Sequence, residues 1–270
     1  GYGQEDSRTA PPAVAVIRFA SLGSGSAGNA LLVEHGATCL MLDCGFGLRE
    51  TVTRLQRLGR TPSDLAGILV THEHGDHVAG VFRLARKFGL PVWMTHGTWV
   101  GCREDDSALD VRIIEGDRPL SIGELEVLPF PVPHDAREPV QFVFSGDGIR
   151  LGVLTDIGEP TAHVCATLSG CAGLVLEFNH DAELLERSAY PASLKRRIAG
   201  RYGHLENSAA ASLLGRIDCS RLQALVAAHL SERNNRSELA VGAAIKALGC
   251  PEDWVGVASP DHGFDWRSLV

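Results

Sequence analysis

The sequence predicts an α/β protein in which two β-sheets are covered by helices on their outer faces. Three observations lead to this prediction: strand patterns dominate each half of the chain, helical patterns follow or flank them, and glycine turns separate neighbouring strands. The 270 residues, 44% of them hydrophobic, are enough to bury one large core. Because we find no internal repeat and no low-complexity linker, residues 13–270 are expected to form a single domain.

The first half of the chain combines short apolar runs, typical of strands, with two segments whose apolar residues lie three and four positions apart, typical of helices. Gly89 and Pro91 end the second helical segment, because neither residue continues a helix well. In chain order, we predict strands at 14–20, 30–34 and 37–43, a helix at 48–58, a strand at 67–70, a helix at 78–88 and a strand at 91–94.

The second half begins with a run of strands and continues with helices between buried strands. In chain order, we predict strands at 111–114, 124–129, 140–144, 149–154 and 173–178, helices at 184–187, 192–198 and 208–217, a strand at 222–229, a helix at 238–248 and a strand at 254–258.

Residues 1–12 are polar and have no basic segment followed by an apolar one, so they do not resemble a signal peptide. A cloning remnant or a disordered tail is expected there, and a mature secreted N-terminus is the alternative. The seven cysteines are scattered, odd in number and without a C-x-x-C pair, which favours a reducing cytoplasm.

Charge and hydropathy exclude two classes of protein. The net charge of −8 argues against a generic basic coat for nucleic acid, so any recognition of phosphate must be local. No apolar stretch approaches the ~20 residues that a membrane span needs. We therefore expect no membrane partner, and the oligomeric state is left open.

The most informative segment is 71–77, Thr-His-Glu-His-Gly-Asp-His, which follows the apolar run at 66–70. Imidazole and carboxylate groups are the side chains that bind borderline divalent metals. Left uncoordinated beside a core strand, so many polar groups would cost free energy unless each found a partner. The segment therefore predicts a metal site, and a solvated histidine-rich turn is the alternative.

Four donors within six residues cannot comfortably surround one ion, so we expect the segment to serve two ions. The remaining donors are sought where a polar residue follows a buried strand. The expected ligands are His72, His74 and His134 for the first ion, Asp76, His77 and His229 for the second, and Asp156 as a bridge between the two. An acid in an ordinary strand-end turn is the alternative for Asp156.

Two further acids stand near these strand ends. Asp43 ends the strand at 37–43, and we interpret it as a residue that orients a ligand rather than as a ligand itself. Asp135 follows His134, and we leave open whether it orients a ligand or caps a turn.

The segment Gly23-Ser24-Gly25-Ser26-Ala27-Gly28 matches G-x-G-x-x-G, a pattern that binds dinucleotides when a helix follows it. Here the apolar residues 30–34 follow, and they indicate a strand. We therefore interpret the glycines as a tight turn between two strands that passes near the site.

The ordered series His72-x-His74-x-Asp76-His77, His134, Asp156 and His229 resembles the ligand series of the metallo-β-lactamase superfamily, and the resemblance runs from about residue 18 to residue 258. It implies a four-layer αββα sandwich with two metal ions at one edge of the paired sheets. Histidine-rich sites with a bridging carboxylate accept Zn²⁺ or Mn²⁺, with Fe²⁺ as a further option.

Within that superfamily the chain is most similar to the YycJ/WalJ-like group, described as 5′-to-3′ DNA exonucleases. The similar segments are 21–29, 42–45, 177–181, 203–205 and 229–231. Glu206 is a departure, because the group pattern has Ser before Asn207. The chain is unlike flavodiiron proteins, which have Glu at the position of His74, and unlike β-CASP nucleases, which carry a large inserted domain.

The resemblance also suggests residues for catalysis and for substrate binding. Asp76 would orient the attacking water, and His204 would act as general acid with Glu177 orienting it, as in the similar RNase Z. For His204 an ordinary residue near a helix N-terminus is the alternative. The expected substrate contacts are Ser24, Ser26, Asn29, Asn179, His180, Arg197 and Arg201. Asn179 and His180 could equally fix their loop, and the basic stretch at 195–201 could be a solvated helix face.

The function expected from these residues is a dinuclear-metal phosphodiesterase that acts on nucleic-acid ends, most specifically a 5′-to-3′ DNA exonuclease. A small-molecule hydrolase acting on a β-lactam, lactone, thioester or small phosphodiester is the alternative, because the same metal site would serve it. A non-catalytic metal-binding module is the third possibility, although a structural zinc site needs only one closed tetrahedron of ligands.

Overall fold

The computed structural model describes residues 16–102, 104 and 108–270 of the chain. The expectations for residues 1–12 and for the start of the first predicted strand fall outside these residues. Within the described part, fourteen strands form two seven-stranded sheets. In chain order the strands are β1 (Ile17–Gly23), β2 (Ala30–His35), β3 (Thr38–Leu42), β4 (Gly67–Leu69), β5 (Val92–Thr95), β6 (Val111–Ile114), β7 (Leu120–Ile122), β8 (Leu125–Pro131), β9 (Val140–Gly146), β10 (Ile149–Leu154), β11 (Gly173–Glu177), β12 (Ala224–Ala228), β13 (Val255–Val257) and β14 (Phe264–Leu269).

The two sheets share one pattern of strand directions. The first sheet has the order β14-β1-β2-β3-β4-β5-β6 and is antiparallel up to β3 and parallel from there on. The second sheet has the order β13-β12-β11-β10-β9-β8-β7, parallel from β13 to β10 and antiparallel beyond. In each sheet, several strands therefore end at the same edge.

Nine α-helices lie in the described part of the chain. They are α1 (Leu48–Arg57), α2 (Gly75–Val78), α3 (Val81–Phe88), α4 (His96–Cys102), α5 (Ala162–Leu168), α6 (Ala182–Arg187), α7 (Ala192–Ile198), α8 (Asn207–Leu214) and α9 (Ser237–Leu248). Two short 3-10 helices, Pro62–Asp64 and Glu252–Trp254, complete the regular structure. Among the described residues, we find no helix with the length and apolar character to cross a bilayer.

Three apolar clusters stack between four layers. Along β1, Ile17 and Phe19 pack between the sheets, whereas Ala20 and Leu22 belong to the cluster beneath α1 and α3. Such strands are buried on both faces, which explains their nearly continuous apolar sequences. A third cluster joins the outer face of the second sheet to α5, α8 and α9. The predicted four-layer αββα sandwich is confirmed.

Several elements differ from the sequence-based prediction. The sequence did not predict β7, β14, α4 or α5. The single helix predicted at 78–88 is two helices, because the amide of Gly80 donates to Cys44 O at 2.8 Å rather than continuing α2. The break leaves α2 as a four-residue turn that can approach the loop after β3.

Candidate metal centre

The predicted metal ligands and Asp43 all come after strands that finish at one edge of the sandwich. Asp43 follows β3, and the segment His72–His77 comes shortly after β4 in the first sheet. In the second sheet, His134 lies beyond β8, Asp156 beyond β10 and His229 directly after β12. Since parallel strands in one sheet end together, the fold brings side chains distant in sequence to one place.

Three of these residues have a left-handed backbone. The φ angles are 59° at Asp43, 51° at Asp156 and 56° at His229. Among the described non-glycine residues, only Asp117 and Asp147 share this feature. The conformation costs on the order of 1–2 kcal/mol for a residue with a Cβ atom. The surrounding contacts at the site must therefore hold the chain in this conformation.

Three imidazole nitrogens meet in the first part of the site. His74 Nδ1 lies 3.0 Å from His72 Nε2 and 3.3 Å from His134 Nε2. The other nitrogen of His134 donates to Gly203 O at 3.1 Å, and that of His72 lies 2.9 Å from Thr71 Oγ1. Burial lowers the pKa of both His72 and His134, so these rings are neutral. Neutral nitrogens directed at one point can hold a metal ion.

The second part of the site is richer in carboxylates. His77 Nε2 and His229 Nε2 each lie 3.5 Å from Asp76 Oδ2. Asp156 lies between the two parts, with Oδ2 at 3.1 Å from His77 Nε2 and Oδ1 at 3.9 Å from His134 Nε2. Its Oδ2 and the Nε2 of His229 are buried, and neither has a partner in hydrogen-bonding geometry among the described residues. Two buried atoms that can ligate a metal, and that lack a hydrogen bond, fit a bound cation at this place.

The charges of the second part also fit a cation. Burial lowers the pKa of His77 and His229, but the negative charge of Asp156 outweighs burial, and the pKa of His229 rises to about 10. Burial raises the pKa of Asp156, yet the positive charges of His229 and His77 hold it well below its usual value. This half of the site therefore needs positive charge, which either protons or a divalent cation can provide.

Glu177 is fully buried and accepts four hydrogen bonds. Its Oε1 lies 2.8 Å from His204 Nδ1 and 3.1 Å from His229 Nδ1, and its Oε2 accepts the backbone amides of Ile157 and Leu205. Burial raises the pKa of Glu177, but the charge of His204 and these hydrogen bonds lower it to about 2. Because an ionised carboxylate only accepts, both Nδ1 atoms carry the proton and both Nε2 atoms face away from Glu177.

Asp43 orients His77 in the same way. Its Oδ2 accepts from His77 Nδ1 at 2.8 Å and from Thr71 Oγ1 at 2.8 Å, and its Oδ1 accepts from Thr71 N. The ligand-facing Nε2 of His77 is thereby directed toward Asp76 and Asp156. This geometry is the one expected for a residue that orients a ligand.

The glycine-rich turn at 23–28 connects β1 to β2, so a strand follows it and the dinucleotide pattern does not apply. The neighbouring residue Asn29 holds α2 in place. Its backbone N–H donates to Asp76 O at 2.8 Å, and its side-chain Nδ2 lies 3.3 Å from Asp76 Oδ2. Ser24 Oγ accepts the amide of His229 at 2.9 Å. The turn thus positions two candidate ligands.

A cavity of about 410 Å³ opens next to the cluster. Of the expected substrate contacts, Ser26, Asn179 and Arg197 line it. The other four are placed elsewhere: Ser24 and Asn29 are buried in the turn, His180 is 2% exposed, and Arg201 pairs with Glu159 at 3.2 Å. Direct substrate contact stays a prediction for all seven residues.

Other cavity residues were not among the expected ones. Asp135 lines the cavity, where it accepts Arg197 Nε at 2.6 Å and its Oδ1 lies 3.5 Å from His134 Nε2, so it anchors a basic side chain beside a candidate ligand. Tyr190, Leu194 and Ile198 also line it. Leu194 and Ile198 lie four residues apart on the predicted helix at 192–198, so the sequence offered a signal for these two, whereas Tyr190 precedes that helix.

Asp43→Asn is expected to weaken metal binding about 10- to 100-fold, because the amide has one acceptor oxygen where the carboxylate has two, so its NH2 group faces either Thr71 N–H or the His77 ring and disturbs the orientation of that ring. Asn tolerates a left-handed backbone, so the fold is retained. Competition with a chelator measures the affinity. Asp147→Asn is the matched control, since Asp147 also has positive φ (49°) but a side chain that is 66% exposed. Equal metal affinity of the Asp43 variant and the control would contradict this role.

Gly45→Ala is expected to lower stability by roughly 1–3 kcal/mol and to reduce metal content, because its Cβ would lie 1.9 Å from Asp76 O and push α2 away. Gly47→Ala is the control, since a Cβ there meets no atom within 4 Å. Denaturant unfolding and metal analysis of both variants check this. An unperturbed Gly45 variant would mean that the loop after β3 does not position α2.

Comparisons with known proteins agree with this architecture. The family model for the beta-lactamase superfamily domain matches residues 38–230. Exodeoxyribonuclease YycJ of Bacillus anthracis is 34% identical over 255 residues, which cover 92% of this chain and 96% of the relative. Exodeoxyribonuclease WalJ of Streptococcus pneumoniae is 32% identical over 247 residues, covering 89% and 91%.

Among solved structures, the metallo-beta-lactamase fold protein YhfI from Bacillus subtilis superposes with a TM-score of 0.73 at 15% identity and covers 94% of this chain and 99% of its own. At that identity the likeness concerns the fold. The sequence relatives and the family model go further: the chain belongs to the beta-lactamase superfamily, in the group that holds the YycJ and WalJ exodeoxyribonucleases.

Proposed function

We propose that the protein is a dinuclear-metal phosphodiesterase that degrades DNA from its 5′ ends. The observation that carries this proposal is the Glu177–His204 pair: His204 lines the cavity, its Nδ1 lies 2.8 Å from Glu177 Oε1, and the same nitrogen lies 3.5 Å from Asp156 Oδ1. A purely structural metal site has no need of an acid–base pair at its edge. The names of the full-length relatives supply the substrate, DNA.

In this proposal the two ions are Zn²⁺ or Mn²⁺, with Fe²⁺ as a further option, since imidazole and carboxylate donors suit all three. The first ion would be held by His72, His74 and His134, the second by Asp76, His77 and His229, with Asp156 shared between them. This assignment is supported by donor atoms that lie within 4.8 Å of one another in each set of three. Asp156 forms further groups at this distance, one with His72 and His77 and one with Glu177, His204 and His229, which supports a position shared between the two ions. When bound, the ions would supply Lewis-acid stabilisation of the phosphate and an activated water.

His204 is the proposed general acid. Burial lowers the pKa of His204, but the charge of Glu177 and their hydrogen bond outweigh burial and raise it. With Nδ1 donating to Glu177, the Nε2–H of the imidazolium is the proton that can pass to the leaving alkoxide. Glu177 keeps the ring in place and stabilises its charge, so it acts as a positioning residue.

Arg197 is the proposed phosphate contact. Its Nε donates to Asp135 at 2.6 Å, which holds the guanidinium in the wall of the cavity. The terminal N–H groups of Arg197 then stay available for the oxygens of a phosphate. Glu206, which departs from the group pattern, is not among the residues that line the cavity and receives a hydrogen bond from Ser208.

A cytoplasmic location is part of the proposal. All seven cysteines are free, and burial raises the pKa of the Cys44 thiol to about 11, so this thiol is unreactive. Thiols that neither pair nor react are typical of proteins in a reducing compartment.

The test uses protein loaded separately with Zn²⁺ and Mn²⁺ and given 5′-phosphorylated DNA, matching RNA or a chromogenic lactam. We expect release of nucleotides from the 5′ end of DNA, with binding that weakens steeply as salt rises. The release should disappear in His74→Ala. Turnover of the lactam without release from either nucleic acid would refute the proposal and favour a small-molecule hydrolase.

A further inference from the structure

One part of the cavity wall is formed by residues of α7 and by Tyr190, the residue before its N-terminal Pro191. None of the seven residues of α7 is buried, so the helix lies on the surface and is only lightly packed. Leu194 and Ile198 are four residues apart and share one face of α7, Tyr190 precedes the helix, and all three line the cavity. Three half-buried apolar side chains therefore line the same cavity as a cluster of carboxylates and imidazoles.

The lining of the cavity combines two kinds of chemistry. The metal-binding cluster and Arg197 suit the oxygens of a phosphate. The side chains of Tyr190, Leu194 and Ile198 suit a flat apolar surface. A nucleotide carries both groups, a phosphate and a base, separated by one sugar. A volume of about 410 Å³ lies at the lower end of the range that holds one small ligand.

We propose that the face formed by Tyr190, Leu194 and Ile198 binds the base of the terminal nucleotide, which stacks on the Tyr190 ring. This inference rests on the proposed function, since the phosphate of that nucleotide would sit at the metal cluster. The guanidinium of Arg233 lies 5.8 Å from the centre of the Tyr190 ring and helps to hold the ring. Because every base can stack on an aromatic side chain, the subsite would bind the terminal nucleotide of a DNA end whatever its sequence.

One consequence concerns the form of the DNA end. A base that stacks on Tyr190 inside the cavity cannot remain paired and stacked in a duplex. Because unpairing and unstacking cost a few kcal/mol, single-stranded or frayed ends should be degraded faster than blunt ends.

The experiment compares Tyr190→Ala and Tyr190→Phe with Tyr202→Ala as the matched control. Tyr202 is 54% exposed, is not among the residues that line the cavity and also has an arginine, Arg201, 5.7 Å from its ring. Each variant is given two 5′-phosphorylated single strands that differ only in whether the terminal nucleotide carries a base. Nucleotide release gives kcat/KM, and metal content and unfolding temperature are measured alongside.

On the strand with a terminal base, we expect Tyr190→Ala to lower kcat/KM about 10- to 100-fold, whereas Tyr190→Phe and Tyr202→Ala stay near the wild type. On the abasic strand, Tyr190→Ala should match the wild type, because no base remains to stack. Equal losses on both strands, or no loss on either, would overturn the inference. If the wild type itself releases no nucleotide from either strand, the proposed function fails, which is a distinct result.

Discussion

Asp156→Asn is expected to lower the rate of DNA hydrolysis by about 10³-fold or more and to reduce the bound metal. Asp156 is the carboxylate between the two groups of donors, 3.1 Å from His77 and 3.9 Å from His134. Its loss removes a negative charge from both proposed ion sites, and metal-derived stabilisation is worth several kcal/mol. Asn fits a left-handed backbone, so the φ of 51° stays accessible.

The control for this variant is Asp117→Asn, which makes the same change at another left-handed residue. Asp117 has a φ of 62°, is about half exposed and pairs with His163 at 2.7 Å, away from the site. Elemental analysis and nucleotide release are measured for both proteins. Full activity of the Asp156 variant at normal metal content would refute the bridging role, whereas a loss shared with Asp117→Asn would indicate a general effect on folding.

His204→Ala is expected to lower kcat on DNA about 10²- to 10⁴-fold while leaving the metal content unchanged. The alkoxide that leaves from DNA needs the proton of the His204 imidazolium, whereas a nitrophenolate leaves without one. Hydrolysis of a nitrophenyl ester of a nucleotide should therefore be reduced far less. A loss of equal size on both substrates would show that His204 does not act as an acid.

The pH profile offers a second readout for His204. The pKa of His204 is raised by Glu177, and the acid form is the active one, so wild-type activity should fall as pH rises above this raised pKa. The alkaline fall should be absent in His204→Ala. His163→Ala, at an exposed histidine outside the cavity, should keep both the activity and the alkaline fall.

The candidate ligands could be identified from the sequence because the pattern around each of them is local. Each one follows a short buried apolar run, and such a run reads as a strand whatever surrounds it. Parallel strands of one sheet end at one edge, so polar residues after several strands predict a common site. His134 and His229, 95 residues apart in the chain, could therefore be assigned to one cluster.

Elements whose stability comes from distant partners were harder to predict. The edge strand β14 has a single buried residue, Leu269, so its sequence carries little alternation, and its partner β1 lies almost the whole chain away. The seven-residue helix α5 is too short for a clear periodicity and is stabilised by packing on the second sheet. For the same reason, the break between α2 and α3 was not predicted, since it depends on a hydrogen bond to Cys44.

By itself, the sequence determined the two-sheet architecture, the identity of the candidate ligands and the chemistry that imidazole and carboxylate groups can perform. Only the tertiary structure decided which group contacts which: Asp43 accepts from Nδ1 of His77, Glu177 accepts from Nδ1 of His229, and Tyr190 lines the same cavity as the cluster. The physical reason is that residue type and local pattern encode what a side chain can bind, whereas hydrogen-bond direction and neighbourhood depend on segments that meet only after folding.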